Sequence, residues 1–130
     1  MPHKPQLKNE RGQTMVEFAL VLPVLALLLF GVIQFGIAFN SYLTITDAVR
    51  AGARKAAVSA DAPDPVGSAT TEVRASAGSL DLSQLNVSVT STWQPGSDVT
   101  VQATYPYSIH LLGLYDFGGQ LKSKATERVE

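Results

Sequence analysis

The chain has 130 residues, no cysteine and a formal net charge of −1. So balanced a charge lacks the clustered basic excess of a nucleic-acid-binding protein, which argues against nucleic acid as a partner. The absence of cysteine excludes a disulfide framework and a thiolate metal site, so packing must stabilise whatever domain forms.

The N-terminus is a short basic segment. Lys4, Lys8 and Arg11 stand against one acid, Glu10, and two prolines disfavour helix, so residues 1–12 are predicted to be an unstructured cytoplasmic tail. The positive-inside rule does not by itself place the N-terminus in the cytoplasm, because basic residues also follow the apolar run that comes next in the chain. These are Arg50, Arg54 and Lys55.

The run from Phe18 to Phe39 carries no charged residue, and Gln34 is its one strongly polar side chain. About 20 such residues suffice to cross a bilayer core as one helix, so a transmembrane segment is predicted over about 15–39. A secretory signal is the competing interpretation, although this run is longer than the ~7–15 apolar residues typical of one.

Two strings in this segment are similar to a known family. They are Gly12-Gln13-Thr14-Met15-Val16-Glu17-Phe18-Ala19-Leu20-Val21-Leu22-Pro23 and Gly31-Val32-Ile33-Gln34-Phe35-Gly36. Over residues 11–57 the chain resembles the TadE-like pseudopilins, the minor pilins of the tight-adherence branch of type IV pili. The resemblance implies that a membrane-embedded prepilin peptidase cuts after Gly12, leaving Gln13 as the mature N-terminus. Type IV pilins more often begin with an aromatic or apolar residue, and Gln13 departs from that pattern.

The resemblance also implies roles for residues of the apolar helix. A carboxylate at the edge of the apolar phase is costly unless it is compensated, and in the family it pairs with the N-terminal amine of an adjacent subunit. Glu17, Phe18 and Pro23 are therefore expected in subunit assembly. Pro23 is expected to kink or locally break the helix. The alternatives are that Glu17 only snorkels into the headgroups and that Pro23 is simply tolerated.

The helix is predicted to continue out of the membrane, as one element from Thr14 to Ser59 within the segment 13–59. Apolar residues recur with a period near 3.6, which makes the outer half amphipathic. This stripe consists of Phe35, Phe39, Tyr42, Leu43, Val49, Ala53 and Ala56. Small residues repeat at 48, 52 and 56 and permit close approach of a second backbone, which is expected to come from the chain's own domain.

Residues 60–130 are predicted to form a small extracytoplasmic domain. Pro63 and Pro65 end the long helix, and a short second helix is predicted over 67–78, with Ser68 as its cap and Gly78 as its stop.

The rest of the domain alternates as strands do. A β-hairpin is predicted over 85–93 and 99–105, and a third strand over 121–129 is expected after a turn at Gly118-Gly119. The predicted fold class is α+β, with the long helix packed against a small three-stranded antiparallel sheet, as in type IV pilins.

The segment 106–117 is unusually apolar for a connection. It is expected either to extend the second strand or to plug the core; the alternative is a surface for neighbouring subunits or for the membrane interface. The candidate surface residues are Ile109, Leu111, Leu112 and Leu114.

The sequence lacks the residues of a catalytic or metal-binding cluster. Its two histidines are His3 and His110, and the first lies in the segment that a prepilin peptidase would remove. No Ser-His-Asp or His-based metal site can be assembled, so neither enzymatic activity nor a cofactor is expected.

The resulting hypothesis is a minor pilin or pseudopilin in a bacterial or archaeal membrane, with its N-terminus cytoplasmic and its C-terminus outside. Its expected partners are a prepilin peptidase, other pilin subunits, the inner-membrane assembly platform and the lipid bilayer. The alternative is an unprocessed single-span anchor that displays a small binding domain.

Overall fold

The structure, a computed structural model, describes residues 7–130 and the side chains from residue 10 onward. The start of the predicted leader, residues 1–6, therefore lies outside the described residues. The described chain forms two helices followed by three strands. They are α1 (Leu7–Ala57), α2 (Pro65–Ser76), β1 (Asn86–Ser91), β2 (Asp98–Leu111) and β3 (Tyr115–Arg128).

Helix α1 has 51 residues and is longer at its N-terminal end than predicted. It begins at Leu7 rather than Thr14, so the prediction of an unstructured tail is wrong over residues 7–12. Both prolines of the N-terminal segment precede Leu7, so no ring interrupts the turns that follow it. The Thr14 hydroxyl also donates to the carbonyl of Glu10 at 2.8 Å. The helix continues through Pro23, so no local break occurs there, and it ends at Ala57, two residues before the predicted Ser59. At about 1.5 Å per residue, α1 is about 75 Å long.

The outer half of α1 forms one side of the hydrophobic core of the domain. Ile45, Ala48, Val49, Ala53 and Ala56 are fully buried there, against α2 and the sheet. The predicted stripe is therefore correct from Val49 outward. It is wrong nearer the membrane, where its aromatic residues and Leu43 are exposed. The half-buried positions there are instead Gly31, Gln34, Ala38 and Ser41, which continue the spacing of Ile45.

Helix α2 begins at Pro65, two residues before the predicted start at Gly67, and is capped by Asp64, not Ser68. The Asp64 carboxylate accepts the backbone N–H of Gly67 at 2.9 Å, and Pro65 occupies the first helical turn. Both choices follow the preferences of helix N-termini, where aspartate satisfies a free N–H and proline has none to lose. The helix ends at Ser76, before the predicted stop at Gly78.

The three strands form an antiparallel sheet in the order β1-β2-β3. Val99, Val101 and Ala103 of the central strand are fully buried against the helices. Strand β1 has 6 residues, whereas β2 and β3 have 14 each. Because β1 pairs with β2 only as far as Thr104, the rest of β2 and β3 projects as a two-stranded ribbon.

The predicted turn at Gly118-Gly119 is wrong. Both glycines lie inside β3, opposite Ser108 and Tyr107, and the chain reverses at Leu112–Leu114 instead. Gly113 supplies the left-handed backbone conformation that this turn needs, with φ of 75°. The segment 106–117 is thus the end of a long β2–β3 hairpin, and the expectation that it extends the second strand is confirmed.

A close approach between α1 and α2 occurs at Gly52 of α1. A Cβ placed there would overlap Cγ2 of Val73 and lie 3.3 Å from the carbonyl oxygen of Ala69, both on α2. The prediction that the small residues of α1 admit the chain's own domain is therefore correct.

We expect Gly52→Ala to destabilise the domain by about 1–3 kcal/mol, because the rigid, buried Val73 cannot yield without disturbing the core. This is the net loss that remains after the roughly 1 kcal/mol that alanine gains over glycine in a helix. Denaturation of the full chain in detergent, followed by the fluorescence of Trp93, measures the effect.

Gly36→Ala is the matched control, because a Cβ at Gly36 meets no atom within 4 Å. Equal stability of the two variants would contradict the close approach at Gly52.

Candidate functional site

The inner half of α1 is a bare apolar surface. Large hydrophobic side chains are exposed along its whole length, which soluble monomers do not leave to water. They include Met15, Val16, Phe18, Leu20, Val21, Leu22, Val24, Leu25, Leu28, Leu29, Phe30, Val32 and Ile33. Within the described chain, α1 is the one helix long and apolar enough to cross a membrane, and none of its most apolar stretch is buried by the protein. Among the described residues, this helix has the length and the exposed apolar surface of a single-pass membrane anchor.

Gln13 and Glu17 lie one turn apart on the same face of α1, near the end that is predicted to be cytoplasmic. The Gln13 side-chain amide donates to Oε1 of Glu17 at 3.3 Å. Within residues 10–130 the salt-bridge contacts are the Arg50–Asp47 ion pair and the hydrogen-bonding contact between His110 and Asp116, so Glu17 has no cationic partner in this part of the chain. A neutral amide supplies one hydrogen bond to the carboxylate but leaves its charge uncompensated.

The other two residues predicted for assembly lie on the same bare helix. Phe18 is 61% exposed, and Pro23 is exposed as well. The structure thus presents Glu17, Phe18 and Pro23 outward, where another helix or lipid can reach them.

The end of the β2–β3 hairpin descends beside α1. A Cβ on Gly31 would lie 3.7 Å from Cδ2 of Leu111, and the backbone N–H of His110 donates to Oε1 of Gln34 at 3.4 Å. The sequence singled out Gln34 as the polar exception in the apolar run but did not predict this partner. A backbone N–H at the edge of a strand has no signature in the sequence.

The four candidate surface residues of the hairpin divide into two groups. Ile109 is buried and Leu111 half-buried, both on the side of α1. Leu112 and Leu114 are exposed at the turn, together with the neighbouring Tyr115.

An apolar cleft of about 490 Å³ separates the hairpin from α1 above this contact. Its walls include Phe35, Phe39 and Tyr42 of the helix and Tyr107 and Phe117 of the hairpin. The sequence did not predict this cleft, because it depends on how far the hairpin stands off the helix.

A bare apolar helix whose outer half carries a small antiparallel sheet defines the class of membrane-anchored, type IV pilin-like proteins. Residues 12–54 are similar to the family model described as TadE-like protein, so the resemblance inferred from the sequence is confirmed over this segment of the chain. No curated protein and no solved structure matches the chain.

The contact between hairpin and helix can be tested by cross-linking, since the chain has no native cysteine. We expect Gly31→Cys combined with Leu111→Cys to be joined by a short, membrane-permeant bifunctional thiol reagent in a higher yield than a control pair, because the two positions are in contact. Gly36→Cys combined with Leu111→Cys should react poorly, because position 36 faces away and meets no atom within 4 Å. Gel mobility after mild denaturation measures the product, and equal yields from the two pairs would contradict the docking.

Proposed function

We propose that this protein is a minor pilin or pseudopilin of a tight-adherence type IV pilus. It is made with a cytoplasmic leader of residues 1–12, cut between Gly12 and Gln13 by a prepilin peptidase, and assembled with other pilin subunits at the inner-membrane platform. In this role it supports pilus biogenesis, surface adhesion and biofilm formation. The observation that carries the proposal is that the TadE-like match begins at Gly12 and covers the bare helix.

The exposed apolar face supports lateral assembly. A lone helix in lipid has nothing to gain from the hydrophobic effect by pairing, so its association depends on packing and on polar contacts. Glu17 is the acidic residue in the apolar part of the segment that matches the family model. Its carboxylate accepts a hydrogen bond from the neutral side-chain amide of Gln13. A cation from a neighbouring subunit would stabilise it, because an uncompensated charge in a poor dielectric is costly.

Cleavage would create that cation. Once the bond between Gly12 and Gln13 is cut, Gln13 carries a free α-amine at the end of the apolar helix. In an assembled filament this amine pairs with Glu17 of the adjacent subunit. Processing and assembly are then linked by charge, since an uncleaved chain has no amine at this level.

Pro23 contributes through the backbone. It lacks an N–H, so the carbonyl one turn earlier, at Ala19, has no helical donor. A helix weakened there can unwind locally when it moves from the bilayer into a packed filament, and Phe18 on the same surface supplies packing area to the neighbour.

One observation favours the second candidate, an unprocessed anchor that displays a small binding domain. Helix α1 continues through Gly12 without a break, so a peptidase would have to unwind this segment to reach the bond. Retention of the leader distinguishes the two functions.

The deciding measurement is the intact mass and N-terminal sequence of the protein from the membranes of its native cells. We expect a chain that begins at Gln13, either free or as pyroglutamate. A chain that keeps its leader while the pilus machinery is expressed would overturn the pilin proposal and leave the plain anchor.

Substitution of Glu17 tests assembly separately. Glu17→Ala and the isosteric Glu17→Gln should each lower incorporation into sheared filaments by about tenfold, the effect of about 1.4 kcal/mol, while the amount in the membrane stays unchanged. Quantitative immunoblots of the filament and membrane fractions measure both.

Glu10→Gln is the control, because Glu10 is removed with the leader and its loss should leave incorporation unchanged. Normal incorporation of the Glu17 variants would show that the carboxylate is not needed for assembly.

A further inference from the structure

The contacts between the hairpin and α1 determine how deep the end of the hairpin lies in the membrane. Gly31 and Gln34, which the hairpin contacts, lie inside the apolar run that ends at Phe39. From Phe39 back to Gly31 is eight residues, or about 12 Å along the helix axis. Whatever surrounds the helix at Gly31 therefore also surrounds the end of the hairpin.

The chemistry of the hairpin end suits hydrocarbon rather than water. The turn reads Leu111-Leu112-Gly113-Leu114-Tyr115, whereas turns in water favour asparagine, aspartate and serine. Leu114 is 76% exposed, and Leu112 is 48% exposed at a φ of 52°, a conformation that leucine rarely adopts. In water, these leucines would form an exposed apolar patch with no partner in the described chain.

Polar groups appear immediately above the turn and are paired. His110 and Asp116 face each other across the hairpin, with 2.9 Å between Nδ1 and Oδ1. The N–H of His110, on the strand edge that β1 leaves uncovered, donates to Gln34. Backbone donors in lipid need such partners, because no water is available to replace them. Further up the hairpin, the exposed Lys122 and Lys124 point to an aqueous or headgroup environment.

We infer that the β2–β3 hairpin is a second membrane contact, with its 111–115 turn inserted in the outer leaflet and the His110–Asp116 pair at the headgroup boundary. The outer boundary of the hydrocarbon core then lies near Gln34. A helix needs about 20 residues to cross that core, so the inner boundary lies near Thr14 and the span is about 14–33 rather than 15–39. Phe35, Phe39 and the other aromatic residues of the cleft then lie at the outer interface, where aromatic side chains concentrate.

This inference goes beyond the proposed function and depends on the membrane span, not on processing or polymerisation. Its consequence is mechanical. A helix alone can slide and rotate in the bilayer, whereas a helix with an inserted hairpin has a defined depth and a defined face toward the lipid.

Single cysteines test the depth, because the native chain has none. Leu114→Cys places a thiol in the hairpin turn. Gln94→Cys is the matched control in the exposed turn at the opposite end of the sheet. Each full-length variant is reconstituted into phosphatidylethanolamine and phosphatidylglycerol vesicles and exposed to a membrane-impermeant maleimide.

We expect the thiol at position 114 to react about tenfold or more slowly than the control, because a thiol in apolar surroundings forms little thiolate. Dissolving the vesicles in mild detergent should not restore the rate fully, since detergent also covers apolar surface, so a second readout is needed. The same variants, labelled with an environment-sensitive fluorophore in detergent before reconstitution, are therefore mixed with phospholipids that carry a doxyl quencher near the glycerol end of the acyl chain.

Strong quenching at position 114 and none at position 94 would establish insertion. Equal maleimide rates at the two positions would show that the turn lies in water and overturn the inference. Slow labelling without quenching by doxyl lipid would also overturn it, because the turn would then be covered by protein, such as a neighbouring copy, rather than by lipid. None of these results depends on whether the leader is cleaved, so this inference and the proposed function can fail independently.

Discussion

The rest of the structure depends on the backbone hydrogen bonding of α1. In the bilayer core no water can replace an intrahelical hydrogen bond, so the spanning segment has to be helical. The same helix then continues into the domain as far as Ala57 without a hinge. Because α1 is one continuous rod-like helix through both environments, the position of the domain follows from the position of the span.

The outer half of this rod is built for close packing. Residues at 48, 52, 53 and 56 are alanine or glycine, and their small size lets α2 and the central strand approach the helix backbone. Larger residues at Ile45 and Val49 fill the space under the sheet. Because the core is confined to this half, residues 10–25 of α1 stay exposed and can meet lipid or other subunits, whereas the hairpin covers part of the helix around Gly31 and Gln34.

Two polar side chains in the apolar part of α1 differ in their hydrogen-bond partners. Gln34 is neutral, and its Oε1 accepts a hydrogen bond from a backbone N–H of the hairpin, which offsets part of the cost of a polar side chain in the apolar run. Glu17 is ionisable, and in the described chain it receives one hydrogen bond from a neutral amide. One hydrogen bond from a neutral donor leaves the charge of a carboxylate uncompensated, so Glu17 is the group with most to gain from an external cationic partner.

The sequence by itself determined the elements whose cause is local. The apolar run, the small residues around Gly52 and the alternation around Val99 and Val101 predict a membrane helix, a close packing face and a strand, because each depends on neighbours along the chain. The strings from Gly12 to Gly36 also carried the family resemblance. Only the tertiary structure decided how far the β2–β3 hairpin extends, that Gly118 and Gly119 lie within a strand, and that His110 meets Gln34. These features depend on strand pairing and on contacts between residues far apart in sequence, and an apolar segment such as 106–117 does not indicate by composition which surface it will meet.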